Sequence, residues 1–467
     1  MSLSVLDASA EAPNEIALVS GSRCVSYSEL GQRVGRLIAG LKHDGVVVGS
    51  SASAEPVAVE GSTDLVSVEL LLALITAGVP AAVMHPRWTP TERDRWLETT
   101  RVSRVLTPQD LAPTPSPVTA VVRRVADDDR PLCILATSGT TQNPRAVVLS
   151  RRAFVASANG SAQNLGWTPE DRWLANLPLA HVGGLSVLTR CLLARRTAVL
   201  ASATSATELA AVVEQQRITL LSLVPPLLDR LLDLGPTWKL PQRVRAILVG
   251  GAPLPDRLRQ GAVARGWPVL ATYGLTEACS QVTVQRYGGP GLREPGAGTA
   301  LPGTDIRVLD GRIQIRGPTL FSGYLPLGRH PHPGPDGWFD TGDLGRLDDS
   351  GRLHVLGRQD ELIVTGGENV SPGEVEAALQ ACPGVADACV FALPSEQWGQ
   401  LVAAAIVQRP NDSTPRDVLI APAREHLAPY KLPRQVAFVR TLEVGPNGKV
   451  DRRATARKAI PRLQKVH

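Results

Sequence analysis

Thr137, Ser138, Thr140 and Thr141 set four hydroxyls around Gly139 in the run Ala136-Thr137-Ser138-Gly139-Thr140-Thr141-Gln142-Asn143-Pro144-Arg145, which Arg145 closes with a cation. Hydroxyls, backbone N–H groups made accessible by glycine, and a guanidinium are the donors a polyphosphate needs. The run is not a Walker loop, which requires Gly, four residues and then Gly-Lys-Ser/Thr. Ser, Thr and Gly are also ordinary turn formers, so the phosphate reading depends on what accompanies it. Thr272-Tyr273-Gly274-Leu275-Thr276-Glu277 supplies a hydroxyl, an aromatic ring, a glycine and a carboxylate, a set suited to a nucleotide base and a Mg2+ ion. Trp338-Phe339-Asp340-Thr341-Gly342-Asp343 puts two carboxylates in a tight turn, and Gly357-Arg358-Gln359-Asp360 follows it. Near the end, Gly445-Pro446-Asn447-Gly448-Lys449 keeps a lysine in a glycine turn, although only six of the 49 basic residues are lysines.

The elements that must position these groups are readable from periodicity. Pro131-Leu132-Cys133-Ile134-Leu135 reads as a buried strand that delivers the hydroxyl-rich loop from a sheet. Through the first 300 residues or so, apolar helical patterns (Leu70 to Ala77) alternate with short strand-like runs (Val118 to Val122, Ala198 to Leu200). The runs Thr219 to Val224 and Arg245 to Val249 end at Pro225-Pro226 and Gly250-Gly251, the kind of strand end where ligands gather. The expected fold class is therefore α/β, with a large N-terminal domain of parallel sheets and helices. After about residue 300 the short strands Ile306 to Leu309 and Ile313 to Ile315, separated by Asp310-Gly311, predict a barrel-like antiparallel section. A strand at Leu362 to Val364 and a helix opened by Ser371-Pro372-Gly373-Glu374 begin a small α+β module that strands at Ala388 to Phe391 and Leu401 to Val407 complete. Ala112 to Pro117 reads as a local loop.

Composition bounds the function. The chain has 467 residues, 43% hydrophobic and 20% charged, enough for a large core and more than one domain. A net charge of +5 spread over that length gives no basic stripe, so nucleic acid is not an expected partner, and the basic run from Arg452 to Lys465 reads as a solvated helix face. Cysteines at 24, 133, 191, 279, 382 and 389 form neither CxxC nor a metal-ligand spacing, which predicts a reduced cytoplasmic protein without structural zinc. Asp7 and Glu11 argue against a signal peptide. The apolar stretch from Leu70 to Met84, broken at Gly78-Val79-Pro80, is too short for an integral membrane segment.

Taken in order and spacing, the five chemistry-bearing segments resemble the adenylate-forming superfamily of acyl-CoA synthetases, nonribosomal adenylation domains and luciferases, over essentially the whole chain. The resemblance implies a domain at 1–359 that binds ATP and a carboxylic acid, and a mobile domain at 360–467 that turns at Asp360 between two half-reactions. It implies ATP, Mg2+ and coenzyme A as cofactors, with adenylation of a carboxylate followed by transfer of the acyl group to a thiol. By position, Thr137, Ser138, Gly139, Thr140, Thr141 and Arg145 would take the phosphates, Gly251, Ala252, Thr272, Tyr273, Gly274 and Thr276 would line the nucleotide, and Glu277 would bind Mg2+. Asp343 would accept from the ribose hydroxyls with help from Arg358. Lys449 would reach the α-phosphate and the carboxylate, and Gly366-Gly367 would face pantetheine. Alternative readings stand beside these: Asp343 as a turn residue, Glu277 as a helix N-terminal carboxylate, Lys449 as a solvated lysine and Arg358 as a structural ion-pair partner.

Members usually carry glycine and lysine where Gln142 and Arg145 stand, and commonly glycine where Ala146 does. Arginine keeps the charge but offers a planar fork, which bears on ATP affinity and pyrophosphate release. The stretches Leu177 to Ser186, Ser222 to Pro225 and Glu277 to Thr283 look like the o-succinylbenzoate–CoA ligase branch, of the menaquinone pathway. That implies an acyl pocket with His181, Ser222, Ser280, Gln281 and Thr283, where His181 gates the pocket or hydrogen-bonds the carboxylate; the alternative is a buried histidine capping a loop. The glycine loop, with no carrier-protein domain after it, favours free CoA. Another aryl- or medium-chain acyl-CoA synthetase, a catalytically retired nucleotide-binding protein, and self-association as a homodimer are left open.

Overall fold

A computed structural model of the chain describes residues 2–46, 55–107, 128–137, 145–203, 205–235, 238–326, 333–334, 336–409, 412, 414, 418, 421–445 and 450–465. The expected strand at Val118 to Val122 and the loop at Ala112 to Pro117 lie outside the described residues. Two large sheets carry the first 300 residues. One has nine strands, in the order Thr299–Ala300, Ser280–Val284, Val269–Leu275, Ala246–Val249, Leu220–Leu223, Arg172–Ala175, Thr197–Leu200, Ile16–Ser20, Arg23–Ser26. Its centre is parallel and its edges antiparallel.

The second sheet has six strands, with Val57–Glu60, Ala81–Met84 and Pro131–Ala136 parallel and Ala146–Ser150 returning antiparallel. The helix Leu65–Ala77 is buried on most of its surface and ends at Gly78, whose φ of 75° is the left-handed conformation glycine adopts without strain. The sheets meet where Gly61 accepts from the Leu179 amide at 3.2 Å. A Cβ on Gly61 would stand 2.6 Å from the Ala180 nitrogen, so only glycine allows this approach.

The antiparallel section is an open four-stranded sheet, Asp305–Leu309, Arg312–Arg316, Phe339–Leu347, Leu353–Arg358. The last module holds the hairpin Val385–Ser395 with Gly399–Gln408, and a parallel neighbour Gln435–Val439. Its helix Pro372–Gln380 starts where the sequence signal put it, but the Ser371 hydroxyl donates to the Leu356 carbonyl at 2.5 Å and makes no cap bond. Glu374 likewise turns outward to Lys431, 2.6 Å away. Ser371 thereby ties the module to the strand that ends at Arg358.

Asp171 fixes the entry of three neighbouring parallel strands. Its side chain is fully buried and accepts from Arg245 Nε and Nη2 at 2.8 and 2.6 Å, Thr219 Oγ1 at 2.9 Å and the Thr168 amide at 2.8 Å. Burial pushes its carboxyl up, but the Arg245 and Thr168 hydrogen bonds outweigh burial and hold it below the ordinary value. Its contribution is therefore present above the usual carboxylate pKa and lost as pH falls through the depressed one. Asp171→Ala should destabilise by about 3–5 kcal/mol, read by denaturant titration, because it strands a largely buried guanidinium.

Candidate active site

The nucleotide end is built on a strand irregularity. Strand Val269–Leu275 pairs with Ser280–Val284, and the register shifts between Tyr273, opposite Thr283, and Gly274, opposite Gln281. A Cβ on Gly274 would overlap the Ser280 carbonyl oxygen at 1.8 Å, so glycine is what lets the two strands close. The Tyr273 hydroxyl donates to Asp343 Oδ2 at 2.6 Å. Arg358, opposite Asp343 in register, donates from Nη1 to Oδ1 at 3.0 Å and from Nε to Asp360 Oδ1 at 3.2 Å. Burial raises the Asp343 carboxyl, against the downward pull of Tyr273 and Arg358. The structure thus brings Tyr273, Asp343, Arg358 and Asp360 together, and Arg358 is an ion-pair partner within the site itself. Gly251, with φ of 81°, and Ala252 follow strand Ala246–Val249 beside Thr272, whose hydroxyl donates to the Thr283 carbonyl at 2.7 Å.

The expected phosphate loop joins two paired strands. Pro131–Ala136 and Ala146–Ser150 are antiparallel partners, and Thr137 and Arg145 close the neck: the Thr137 amide donates to the Arg145 carbonyl at 3.0 Å and the Arg145 amide to Thr137 Oγ1 at 3.2 Å. Ser138, Gly139, Thr140 and Thr141, and likewise Lys449, lie outside the described residues. The Arg145 guanidinium stands over the Tyr324 ring, 5.2 Å from its centroid, and the Tyr324 hydroxyl donates to Glu277 Oε1 at 2.7 Å. Glu277 and Thr276 sit in a 3-10 turn, Thr276–Ala278. Among the described residues no cluster of three or more His, Cys, Asp or Glu could cage a metal ion. A single half-buried carboxylate fits Mg2+ that arrives on phosphates and keeps its waters.

At the acyl end, His181 stands at the N-cap of helix Val182–Ala194 without a side-chain cap bond. Its ring lies 5.3 Å from that of His85, at the end of strand Ala81–Met84 of the other sheet. Ser222 Oγ accepts from Trp173 Nε1 at 3.0 Å, Ser280 Oγ accepts from Arg190 Nη2 at 3.4 Å, and Gln281 donates to Thr272 Oγ1 at 3.3 Å. Thr283 is different: it is fully buried, and its hydroxyl donates to the Ala297 carbonyl at 2.8 Å. Gly366 and Gly367, with φ of 60° and 86°, form the turn of the hairpin Ile363–Thr365 with Glu368–Val370. The Trp398 ring covers Gly366, while nothing stands within 4 Å of where a Cβ on Gly367 would be.

Arg190 was not legible as a site residue. It is 4% exposed, its guanidinium lies over the Trp173 ring at 5.4 Å, and among the described residues no carboxylate pairs with it. Burial pushes its pKa down to about 10. The available signal was one arginine inside the apolar helix VGGLSVLTRCLLA, nine residues after His181.

The sequence pattern of the AMP-binding enzyme family matches residues 6–325, and that of the AMP-binding enzyme C-terminal domain matches 374–449. The chain belongs to the AMP-binding enzyme family. It is 30% identical to a 2-succinylbenzoate–CoA ligase of Bacillus mycoides, over 94% of this chain and 95% of that one. Among solved structures it is similar to the o-succinylbenzoate CoA synthetase of Bacillus subtilis in complex with the acyl-adenylate intermediate OSB-AMP, with a TM-score of 0.87 and 27% identity over 99% of this chain and 98% of that one. The same Bacillus subtilis enzyme with ATP and magnesium gives a TM-score of 0.82 at 27% identity, over 97% and 98%. In this AMP-binding enzyme Arg145 meets Glu277 through Tyr324, Tyr273 meets Asp343, and Arg190 meets Ser280 and Trp173.

Proposed function

We propose that the chain is an AMP-forming acid–CoA ligase that converts o-succinylbenzoate to o-succinylbenzoyl-CoA through an acyl-adenylate, a step of menaquinone biosynthesis. The observation that carries the choice of acid is Arg190. A buried guanidinium without a carboxylate partner is costly, and a substrate that brings a second carboxylate would satisfy it. Trp173, Ser222 and Ser280 around it suit an aromatic keto-diacid better than a plain fatty chain.

In this reading ATP lies between the phosphate loop and Asp343, whose carboxylate would exchange Tyr273 for ribose hydroxyls. Bound Mg2+ neutralises phosphate charge, and Glu277 is its protein ligand. Lys449 brings a cation to the α-phosphate as the substrate carboxylate attacks and pyrophosphate leaves. His181 orders the acid beside the acyl pocket. The segment after Asp360 then turns, and the bare backbone of Gly367 gives pantetheine room. No helix among the described residues is long and apolar enough to cross a membrane.

Incubation with ATP, Mg2+, CoA and o-succinylbenzoate beside a panel of aryl and fatty acids, followed by mass spectrometry, tests the proposal. A dominant o-succinylbenzoyl-CoA product is expected. A thioester from another acid alone would discard the diacid, and no AMP from any acid would discard the ligase.

A further inference from the structure

Arg145 stands where the family usually carries lysine, and its surroundings explain what the planar fork is for. Strand Gly323–Tyr324 pairs with Ala146–Ser150, placing Tyr324 opposite Val147, and the Leu325 amide donates to the Ala146 carbonyl at 2.9 Å. The hairpin arm behind Arg145 and the Tyr324 strand are thus one hydrogen-bonded unit. The Phe321 amide in turn donates to the Glu277 carbonyl at 2.8 Å, and the Phe321 ring meets the Tyr324 ring edge-on at 4.8 Å. The Tyr324 segment therefore grips Glu277 twice, by its backbone through Phe321 and by its side chain through the tyrosine hydroxyl. Tyr324 is 8% exposed. Among the described residues no donor reaches Glu277 Oε2.

We propose that Arg145 is a positioning residue that acts on Glu277 through the Tyr324 ring, and not a direct ligand of the phosphates. A guanidinium stacked on an aromatic face polarises the ring, which makes the phenol a better donor to Glu277 Oε1 and leaves Oε2 to face the metal. Arginine stacks in this way better than lysine, which accounts for the departure from the family pattern. The inference rests on the assignment of Glu277 as the magnesium ligand.

A double-mutant cycle with Tyr324→Phe and Arg145→Met tests it, with Arg145→Lys as the conservative variant. ATP binding is measured at equilibrium with and without Mg2+, and ATP–pyrophosphate exchange is followed against Mg2+ concentration. Tyr324→Phe should raise the half-activating Mg2+ concentration about tenfold. Arg145→Met should raise it about three- to tenfold. The double variant should be no worse than the weaker single one, because both changes act along one path, and Arg145→Lys should recover part of the loss. Binding of ATP without Mg2+ should stay within about twofold of the parent in all of them, an expectation of the same indirect path. Loss of Mg2+-free ATP binding in Arg145→Met, or additive effects in the double variant, would overturn the inference while leaving Glu277 its role. If exchange by the unaltered protein proved indifferent to Mg2+, the Glu277 assignment itself would fall, and the inference with it.

Discussion

Lys449→Ala should slow acyl-adenylate formation by about 10²–10⁴-fold, the range for removing one group aimed at charge that develops in the transition state. It should leave CoA transfer from a supplied acyl-adenylate within about threefold of the parent rate, since the module that carries Lys449 would have turned before AMP leaves, so that the lysine no longer faces the phosphate. The described residues on either side of the Lys449 turn are anchored. Val444 and Val450 form an antiparallel bridge, and the Asp451 amide donates to the Glu443 carbonyl at 2.8 Å. Three residues after Lys449, Arg452 pairs with the buried Glu376, donates to the Val390 carbonyl and lies 3.5 Å from Glu361, next to Asp360. Arg452 thereby binds the start of the last helix to the small sheet and to Glu361, beside the turn at which the module would pivot. Gly367→Leu should show the opposite pattern: thioester formation falls and adenylation holds, because a side chain at φ of 86° fills the approach to the backbone. Separate assays of the two half-reactions read both variants, and equal loss in both half-reactions for Lys449→Ala would remove its assigned role.

The sequence carried most of the fold because its signals were local. Apolar strands closed by Pro225-Pro226 and Gly250-Gly251 appear as Leu220–Leu223 and Ala246–Val249, and the buried run before the phosphate loop is the strand Pro131–Ala136. What stayed hidden depends on contacts distant in sequence. The link from Tyr324 to Glu277 spans 47 residues, and no periodicity announces it. Thr283 looked equivalent to Ser280 and Gln281 because all three are polar neighbours. The register shift opposite Tyr273 and Gly274 separates them, and a bulge re-aims side chains in a way that residue type does not encode. The antiparallel return of Ala146–Ser150 beside Pro131–Ala136 was hidden for a similar reason: the strand is apolar enough to lead anywhere in an α/β sheet, and only its pairing makes it a return. Ser371 read as a cap by sequence, yet its hydroxyl found a closer acceptor in Leu356, a residue of another element.

Under the proposed function Arg190 receives the second carboxylate of the acid, so Arg190→Leu should have the largest effect on substrate choice. Leucine suits a buried position beside Trp173 and removes a guanidinium that burial already disfavours, so the fold itself should tolerate the change. The diacid would then bring its second carboxylate into a pocket with no cation. Losing one partner of a buried hydrogen-bonded charge pair costs about 2–5 kcal/mol, or about 30- to several thousand-fold in kcat/KM for o-succinylbenzoate. A benzoate-type monoacid has no such group to strand, so its kcat/KM should hold or rise, and the ratio between the two acids should change by at least about 30-fold. Arg190→Lys keeps a charge but loses the fork that reaches Ser280 Oγ while lying over Trp173, and should fall between. Competition between the two acids in one reaction reads that ratio directly and is insensitive to the fraction of enzyme that folds. An unchanged ratio would mean that Arg190 is a structural cation held by Trp173 and Ser280, and the choice of a diacid would lose its physical basis.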